Sequence, residues 1–510
     1  MIQYFRIGLA VLCVVVAIGL SVDAKTLTVA NNGVDSATCG AVNAPCRSIS
    51  QAITNAVDGD TITVGPGLYG DLNGDGTIGN SPGEENGPAS CTCMILVNKR
   101  LTIVSRDGAA ATVLDADAAD VDVVQIEADK VTFGQPKKGF TLNRAGGPPG
   151  NFRTGLFISS GNGVKVGGNL SKSNAGHGFF FNGSGHAINN NIALDNVASG
   201  FVSPDSASGF VVNSNLSLRN GSLGFDLEGS GHKLSNNFAT ANHSSGFFLF
   251  GSGQIVTGNV SSANGADGFF IRGSGHQLNG NIASANSSTG FALKDGNRYQ
   301  LIGNAARGNF SFGIWVFPGV GATIKNGNIF GNNGQSITVD SVAYTNCGLF
   351  SQSSPLTATN NFWGATGGPG VDPADAICPN ANSTTVTPVA AREFLVRTLS
   401  PVDEPALVEP AESSESALPT DVRFMRALQT KEGLLFRVLG DVSALRAEII
   451  DLSGRSIYDS GFVKGSSLAW MPVNSQNRLI ANGVYLYRMT ARDREGREIV
   501  SELRKLLIQR

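Results

Sequence analysis

From about residue 150 to 335 the hydrophobic and polar positions repeat with a period near 22 residues. The dipeptide Gly-Phe begins at Gly178, Gly200, Gly224, Gly246, Gly268 and Gly290, and Gly313-Ile314 continues the series, at spacings of 22, 24, 22, 22, 22 and 23. One Asn keeps step at Asn169, Asn191, Asn215, Asn237, Asn259, Asn281, Asn304 and Asn328. A second follows five residues later at Asn174, Asn196, Asn220, Asn242, Asn264, Asn286, Asn309 and Asn333. Such self-similarity marks a solenoid with one coil per repeat. Because side chains alternate along a strand, Phe179, Phe201, Phe225, Phe247, Phe269, Phe291 and Ile314 form one inward stack. Phe181, Ser203, Leu227, Leu249, Ile271, Leu293 and Val316 form a second, and Ile188, Val212, Leu234, Val256, Leu278 and Leu301 a third. Coils stacked at the interstrand distance of about 4.8 Å bring each Asn over its counterpart, so amide ladders are expected. A leucine-rich repeat has a similar period but needs Leu-x-x-Leu-x-Leu frames, which this chain lacks. Residues 101–123 and 131–142 read as earlier, less regular coils.

The chain opens, after residue 24, with a strand at 26–30, a loop flanked by Cys39 and Cys46, and a short helix. Then come Asp58-Gly59-Asp60-Thr61-Ile62-Thr63-Val64 and Pro66-Gly67-Leu68-Tyr69. Ser48-Ile49-Ser50-Gln51 reads as a capping box, and Ile49, Ile53 and Val57 share one face of the helix it opens. That helix would seal the first coil, whose strand edges are otherwise bare. Asn360-Asn361-Phe362-Trp363-Gly364 and Gly367-Gly368-Pro369-Gly370 read as the end of the solenoid. Over residues 25–390 these features resemble the right-handed parallel β-helix proteins of the pectin-lyase-like superfamily. The resemblance implies the fold. It does not imply one activity, since that superfamily holds lyases, hydrolases, tailspike-like binders and adhesins.

Residues 391–420 hold Pro401, Pro405, Pro410 and Pro419 among Asp403, Glu404, Glu409, Glu412 and Glu415, which reads as an extended acidic linker. From 421 to 510 the Asn series stops and alternating strands appear at 434–439, 445–451 and 483–491, as in a small β-sandwich. Turns are expected at 452–455 and 493–496. Ile450-Asp451-Leu452-Ser453-Gly454-Arg455 and Ala481-Asn482-Gly483-Val484-Tyr485-Leu486-Tyr487-Arg488 resemble the Ig-like domains of flagellar hook-capping proteins and of the C-termini of many exported bacterial proteins. The resemblance implies an accessory or sorting module with a cell-surface partner. A stabilising sandwich without a partner fits equally. The expected fold class is therefore all-β: a right-handed parallel β-helix followed by a small β-sandwich.

Composition agrees with this picture and narrows the setting. The chain has 65 Gly among 510 residues and only 15% charged residues, which excludes a helical bundle. With 28 Phe and a mean hydropathy of +0.02 it does not read as disordered. A net charge of −3 gives no footprint for nucleic acid. Residues 1–24 carry Arg6, an apolar run over 7–20 and small residues at Val22 and Ala24, the pattern of a cleaved secretory signal peptide. The run is shorter than a membrane span needs. The expectation is thus a secreted or cell-surface protein with no membrane span after cleavage. Six cysteines remain, an even number that suits disulfides in an exported chain. Cys39 with Cys46 and Cys347 with Cys378 are the expected pairs, and Cys91 and Cys93 are left open because a bridge across one residue is strained.

Chemistry is harder to read. Between Thr141 and Asp340 the acids are few, and only Asp226 and Glu228 lie together, on the outward side of one strand. Arg272 and Lys294 occupy the Glu228 position two and three coils later, so Asp226, Glu228, Arg272 and Lys294 are the candidate catalytic set of a polysaccharide lyase or glycosidase. Two coils, about 10 Å, separate Arg272 from Glu228, and solvated face charges are the plainer reading. His177 in Gly-His-Gly is read as chance. His186, His232 and His276, at every second coil, are read as turn residues. The leading reading is non-catalytic: Phe180, Phe248, Phe250, Phe270, Trp315 and Phe317 form an outward aromatic stripe suited to stacking against the sugar rings of a polysaccharide or surface glycan. Asp71-Leu72-Asn73-Gly74-Asp75-Gly76 resembles the first half of a calcium loop, with Asp71, Asn73 and Asp75 as candidate Ca²⁺ ligands. Its twelfth position is Pro82, so Glu84 or Glu85 would have to supply the missing acid.

Overall fold

The computed structural model describes residues 24–147, 151–332, most of 337–388, and strands with short flanks between 424 and 508. The chain divides into two compact units, 1–408 and 409–510. The expected signal peptide, the linker and the two tail turns at 452–455 and 493–496 lie outside the described residues.

The first unit is a parallel β-helix of three long sheets, with 14, 12 and 11 strands. Each coil gives one strand to each sheet, in register with the next coil, as in Phe225↔Phe247 and Phe247↔Phe269. The expected inward stacks are all buried. From Phe179 through Phe201, Phe225, Phe247 and Phe269 to Phe291 the phenyl rings lie parallel, with centroids 4.7 to 4.9 Å apart. We call the 12-stranded sheet that carries them the Phe sheet. Face-to-face rings are not the arrangement that isolated aromatic pairs prefer; the strand spacing imposes it, and burial in a continuous core compensates.

Both Asn ladders form. Each buried amide donates Nδ2–H to the Oδ1 of the next coil's Asn and to a backbone carbonyl of the previous coil. Its own Oδ1 also accepts the backbone N–H of the preceding Asn, as in Asn237, Asn259 and Asn281. Every polar atom is thereby satisfied, which a buried amide requires. The residue before each first-ladder Asn has left-handed backbone, for instance Asn190 at φ 57° and Ser214 at φ 55°. The ladders end differently from expectation. Asn328 pairs with Ala305, one position past the ladder, and its Oδ1 is enclosed without a partner. The Gly327 N–H instead donates to Asn361 Oδ1. In the second ladder Asn309 donates to Asn332, which donates to Asp375; Asn333 lies outside the described residues.

The Gly before each inward Phe is there for closeness, not for a turn. A Cβ at Gly246 would lie 2.0 Å from Ser261 Oγ and 2.8 Å from Asn264 Nδ2. The small residues beneath it alternate as Ser171, Ala193, Ser217, Ala239, Ser261 and Ala283, and Ser171 and Ser261 each accept a hydrogen bond from a ladder Asn.

The cap helix is Ile49–Asn55, with Ile49 and Ile53 buried. Ser48 Oγ accepts from Gln51 N–H, but the other half of the capping box is absent: Asp35 takes the Ser48 N–H, and Gln51 donates to Asn55. Val57 falls past the helix end and is exposed. Cys39–Cys46 and Cys347–Cys378 are bridged as expected, and Cys91 is bridged to Cys93. Trp363 is fully buried.

The second unit has a sheet of Phe424–Thr430, Gly433–Leu439 and Ser467–Trp470, all antiparallel. A second antiparallel sheet centres on Ala444–Ile450 and Gly483–Arg492. Phe436 and Trp470 of the first share one buried cluster with Ile449, Tyr487 and Met489 of the second. Among the described residues no helix is long and apolar enough to cross a membrane.

Candidate functional site: the outward face of the Phe sheet

The strand that buries Phe225 and Leu227 must turn Asp226 and Glu228 outward. The same register runs the outer column through Phe157, Phe180, Val202, Asp226, Phe248, Phe270, Ala292, Trp315 and Phe350. A parallel column carries Glu228, Phe250, Arg272 and Lys294. Phe248 and Phe270 stack at 5.4 Å and 4°, and Phe157 meets Phe180 edge-on at 5.5 Å. Trp315 stacks on Phe317 at 4.2 Å, with its indole N–H donating to Gln352 Oε1. The Arg272 guanidinium sits 5.3 Å over Phe250 and the Lys294 ammonium 5.5 Å over Phe317, both within cation–π range.

The outward column is not uniform. Val202 and Ala292 face outward yet are buried. At the far end Phe350 is buried too, under Tyr344 of the hairpin Ile337–Val339 and Val342–Tyr344. Phe157 and the exposed Phe152 extend the near end and were not legible, because their coil lacks the Gly-Phe dipeptide. The outer column of the 11-stranded sheet, with Leu170, Ile192, Leu216, Phe238, Val260 and Ile282, is also apolar but holds a single aromatic.

The four candidate catalytic residues do not come together. Phe250 stands between Glu228 and Arg272 in the register, and Arg272 is paired with Asp295 at 2.5 Å. What the structure does place together is Asp226 and Glu228. Among the described residues no hydrogen bond reaches the Asp226 carboxyl, and its Oδ1 is enclosed without a donor. Burial, then the Glu228 charge, pushes its pKa up to about 7. Glu228 is raised by burial and by Asp205.

The histidines are core residues, not turn residues. His186, His232 and His276 are fully buried. His186 and His232 sandwich Phe210 at 4.8 and 4.7 Å, and His276 lies 5.3 Å from Tyr299. Nδ1 of His186 and of His232 accepts a backbone N–H from the coil before, so the proton sits on Nε2, which donates to Asn182 O and Glu228 O. Burial lowers the pKa of each, that of His276 to about 4.

The candidate calcium loop holds itself together. Asp71 accepts from Gly74 and Gly76 N–H, and Asp75 from Thr77 N–H and Asn80 Nδ2. Glu84 accepts four backbone N–H groups, from Leu72, Asn73, Asn80 and Ser81. Glu85 is buried against the cap helix, accepting from Ile49 N–H, Ser50 N–H and Ser50 Oγ–H. Neither replacement acid is free to be a ligand, so the donor set does not suit Ca²⁺.

A family model described as a right handed beta helix region matches residues 223–362, the most regular coils. No curated protein matches the chain. Among solved structures it is similar to the A-module of a mannuronan C-5 epimerase from Azotobacter vinelandii, at 14% identity and a TM-score of 0.36, covering 65% of this chain and 87% of that one. It is similar to a rhamnogalacturonan lyase at 12% identity and TM-score 0.37, covering 74% and 91%. It is also similar to the Dettilon tailspike protein at 12% identity and TM-score 0.38, covering 91% and 81%.

Proposed function

We propose that the protein is an exported carbohydrate-binding or adhesive protein, and that the outward face of the Phe sheet is its binding surface. The observation that carries this reading is the stacked pair Phe248 and Phe270, continued by Phe250 in the next column, on the outward face of the sheet. Rings stacked at strand spacing present a row of apolar ring edges along which successive sugars can pack, while neighbouring polar groups fix orientation. Export rests on the leader pattern of residues 1–24 and on three disulfides in the solenoid. The C-terminal unit, with two antiparallel sheets around one core, would serve as an Ig-like accessory module that attaches or sorts the chain.

The second reading, a polysaccharide lyase or glycosidase, is favoured by one observation: Asp226, raised to about 7, is placed beside Glu228. A proton donor of that kind suits general acid catalysis. A glycan array run beside reducing-end and unsaturated-product assays separates the two. Binding without product, lost in Phe248→Ala/Phe270→Ala, supports the binding reading. Product that disappears in Asp226→Ala and Glu228→Ala replaces it with the enzymatic one, and an absence of both overturns each.

A further inference from the structure

The outer column of the Phe sheet is broken twice, at Val202–Asp226 and at Ala292, and the first break is the wider. Between Phe180 and Phe248 stand Val202, which is buried, and Asp226. Three coil steps, about 14 Å, therefore separate the two flanking strand positions. The charges around this gap are acidic, and His177, 5.8 Å from the Phe180 ring, is held toward its neutral form by burial. Glu228 is on the same strand and Asp205 on the loop that follows Ser203. Both neighbouring strands, Phe201–Ser203 and Phe247–Ser252, bring no ionisable side chain. The nearest cation along the second column, Arg272, is two coils away, behind Phe250, and is held by Asp295.

An enclosed Oδ1 with no donor is costly for a carboxylate but acceptable for the carbonyl oxygen of a neutral acid. The acidic proton then belongs on Oδ2, the oxygen that is not enclosed. Resting on the binding surface proposed above, we infer that the gap between Phe180 and Phe248 is a subsite for uncharged sugar residues, where Asp226 donates a hydrogen bond as a neutral carboxylic acid and Glu228 and Asp205 turn away uronates. The specificity works partly by repulsion: an anionic sugar meets two carboxylates, and neither flanking strand brings a cation.

The test measures full-chain affinity, by calorimetry, for neutral glucan oligosaccharides and uronate oligomers of equal length, at pH 5.5 and pH 8.5. The wild type should prefer the neutral series at least tenfold at both pH values and bind it several-fold more weakly at pH 8.5, where Asp226 ionises. Asp226→Asn keeps a neutral donor, so its affinity should hold constant across that range. Glu228→Gln/Asp205→Asn should raise uronate affinity several-fold. Uronates that bind as well as glucans, or an Asp226→Asn variant that weakens with pH like the wild type, would overturn the inference while leaving a binding surface in place. If neither series binds, or binding survives Phe248→Ala/Phe270→Ala unchanged, the underlying surface assignment itself fails.

Discussion

The two sides of the Phe sheet share every strand yet follow different rules. Inside, Phe179 through Phe291 repeat without interruption, each ring clamped by the coil before and after. Outside, the same strands present Phe180, Val202, Asp226, Phe248, Phe270 and Ala292 in turn. The inner Phe column keeps one stacking period from Phe179 to Phe291, so it carries structure and little information. The outer face is free of that constraint, so each departure from regularity is a place where a ligand can be told apart from another.

Four measurements break or sharpen this contrast. The sharpest compares Phe225→Ala with Phe248→Ala in guanidinium unfolding. The inward truncation should cost about 3–5 kcal/mol, because the cavity lies between fixed coils. The outward one should cost under about 1 kcal/mol, since its half-buried ring loses little transfer energy, and should instead weaken glycan binding. Equal costs would remove the distinction. Next, Asn242→Ala deletes an amide that donates to Asn264 and accepts from Asn220. It strands buried groups on both sides and should destabilise by about 2–4 kcal/mol.

The third measurement uses pH, with opposite signs for the two regions. Core His276 titrates near 4 when folded against 6.5 ordinarily. The unfolded chain binds the extra proton first, so stability is complete above pH 6.5 and falls as pH drops toward 4. His276→Gln, the residue that Gln254 already supplies in this stack, should remove about 1–3 kcal/mol of that acid loss. Asp226 is raised from 3.8 to about 7, so the folded chain binds the proton more tightly and stability falls as pH rises from about 4 to 7. Asp226→Asn should be near neutral at pH 4 and stabilising by about 1–3 kcal/mol at pH 8. Thermal unfolding from pH 4 to pH 8.5 reads both. The smallest effect is expected from chelation: removing Ca²⁺ with EGTA should leave the melting temperature within about 1 °C, because Asp71, Glu84 and Glu85 are already satisfied by the chain. A larger fall would restore the calcium loop.

The solenoid was legible because its signals are periodic. The inward stacks and the Asn ladders fell where the register of Gly-Phe and Asn placed them until the last coil, where Asn328 leaves the first ladder and Asn332 stands where Asn333 was expected in the second. The site was legible in part. Outwardness of Phe248 and Phe270 follows from period-2 alternation, and so does that of Asp226. Burial of Val202 and Ala292 does not, since it depends on how neighbouring rings lie. The covering of Phe350 by a hairpin is invisible to any repeat. The histidines were misplaced for a related reason: Gly-Ser-Gly before each reads as a turn, whereas the ring that follows folds back into the core and stacks on Phe210 or Tyr299. Glu84 and Glu85 passed as ion ligands because sequence shows their charge and not the backbone amides that use it.

One small detail reaches beyond this molecule's present form. Under the Phe-sheet glycines, Ser and Ala alternate from Ser171 to Ala283, and the core histidines recur at His186, His232 and His276 with the same two-coil beat. The ladders repeat every coil, so the ladders alone would let the solenoid grow by one. From Ser171 to Ala283 the alternation gives the solenoid a structural unit of two coils, 44 to 46 residues long. Within that stretch a single coil gained or lost would set like residue over like, as Ala306 already sits over Ala283 where the alternation ends.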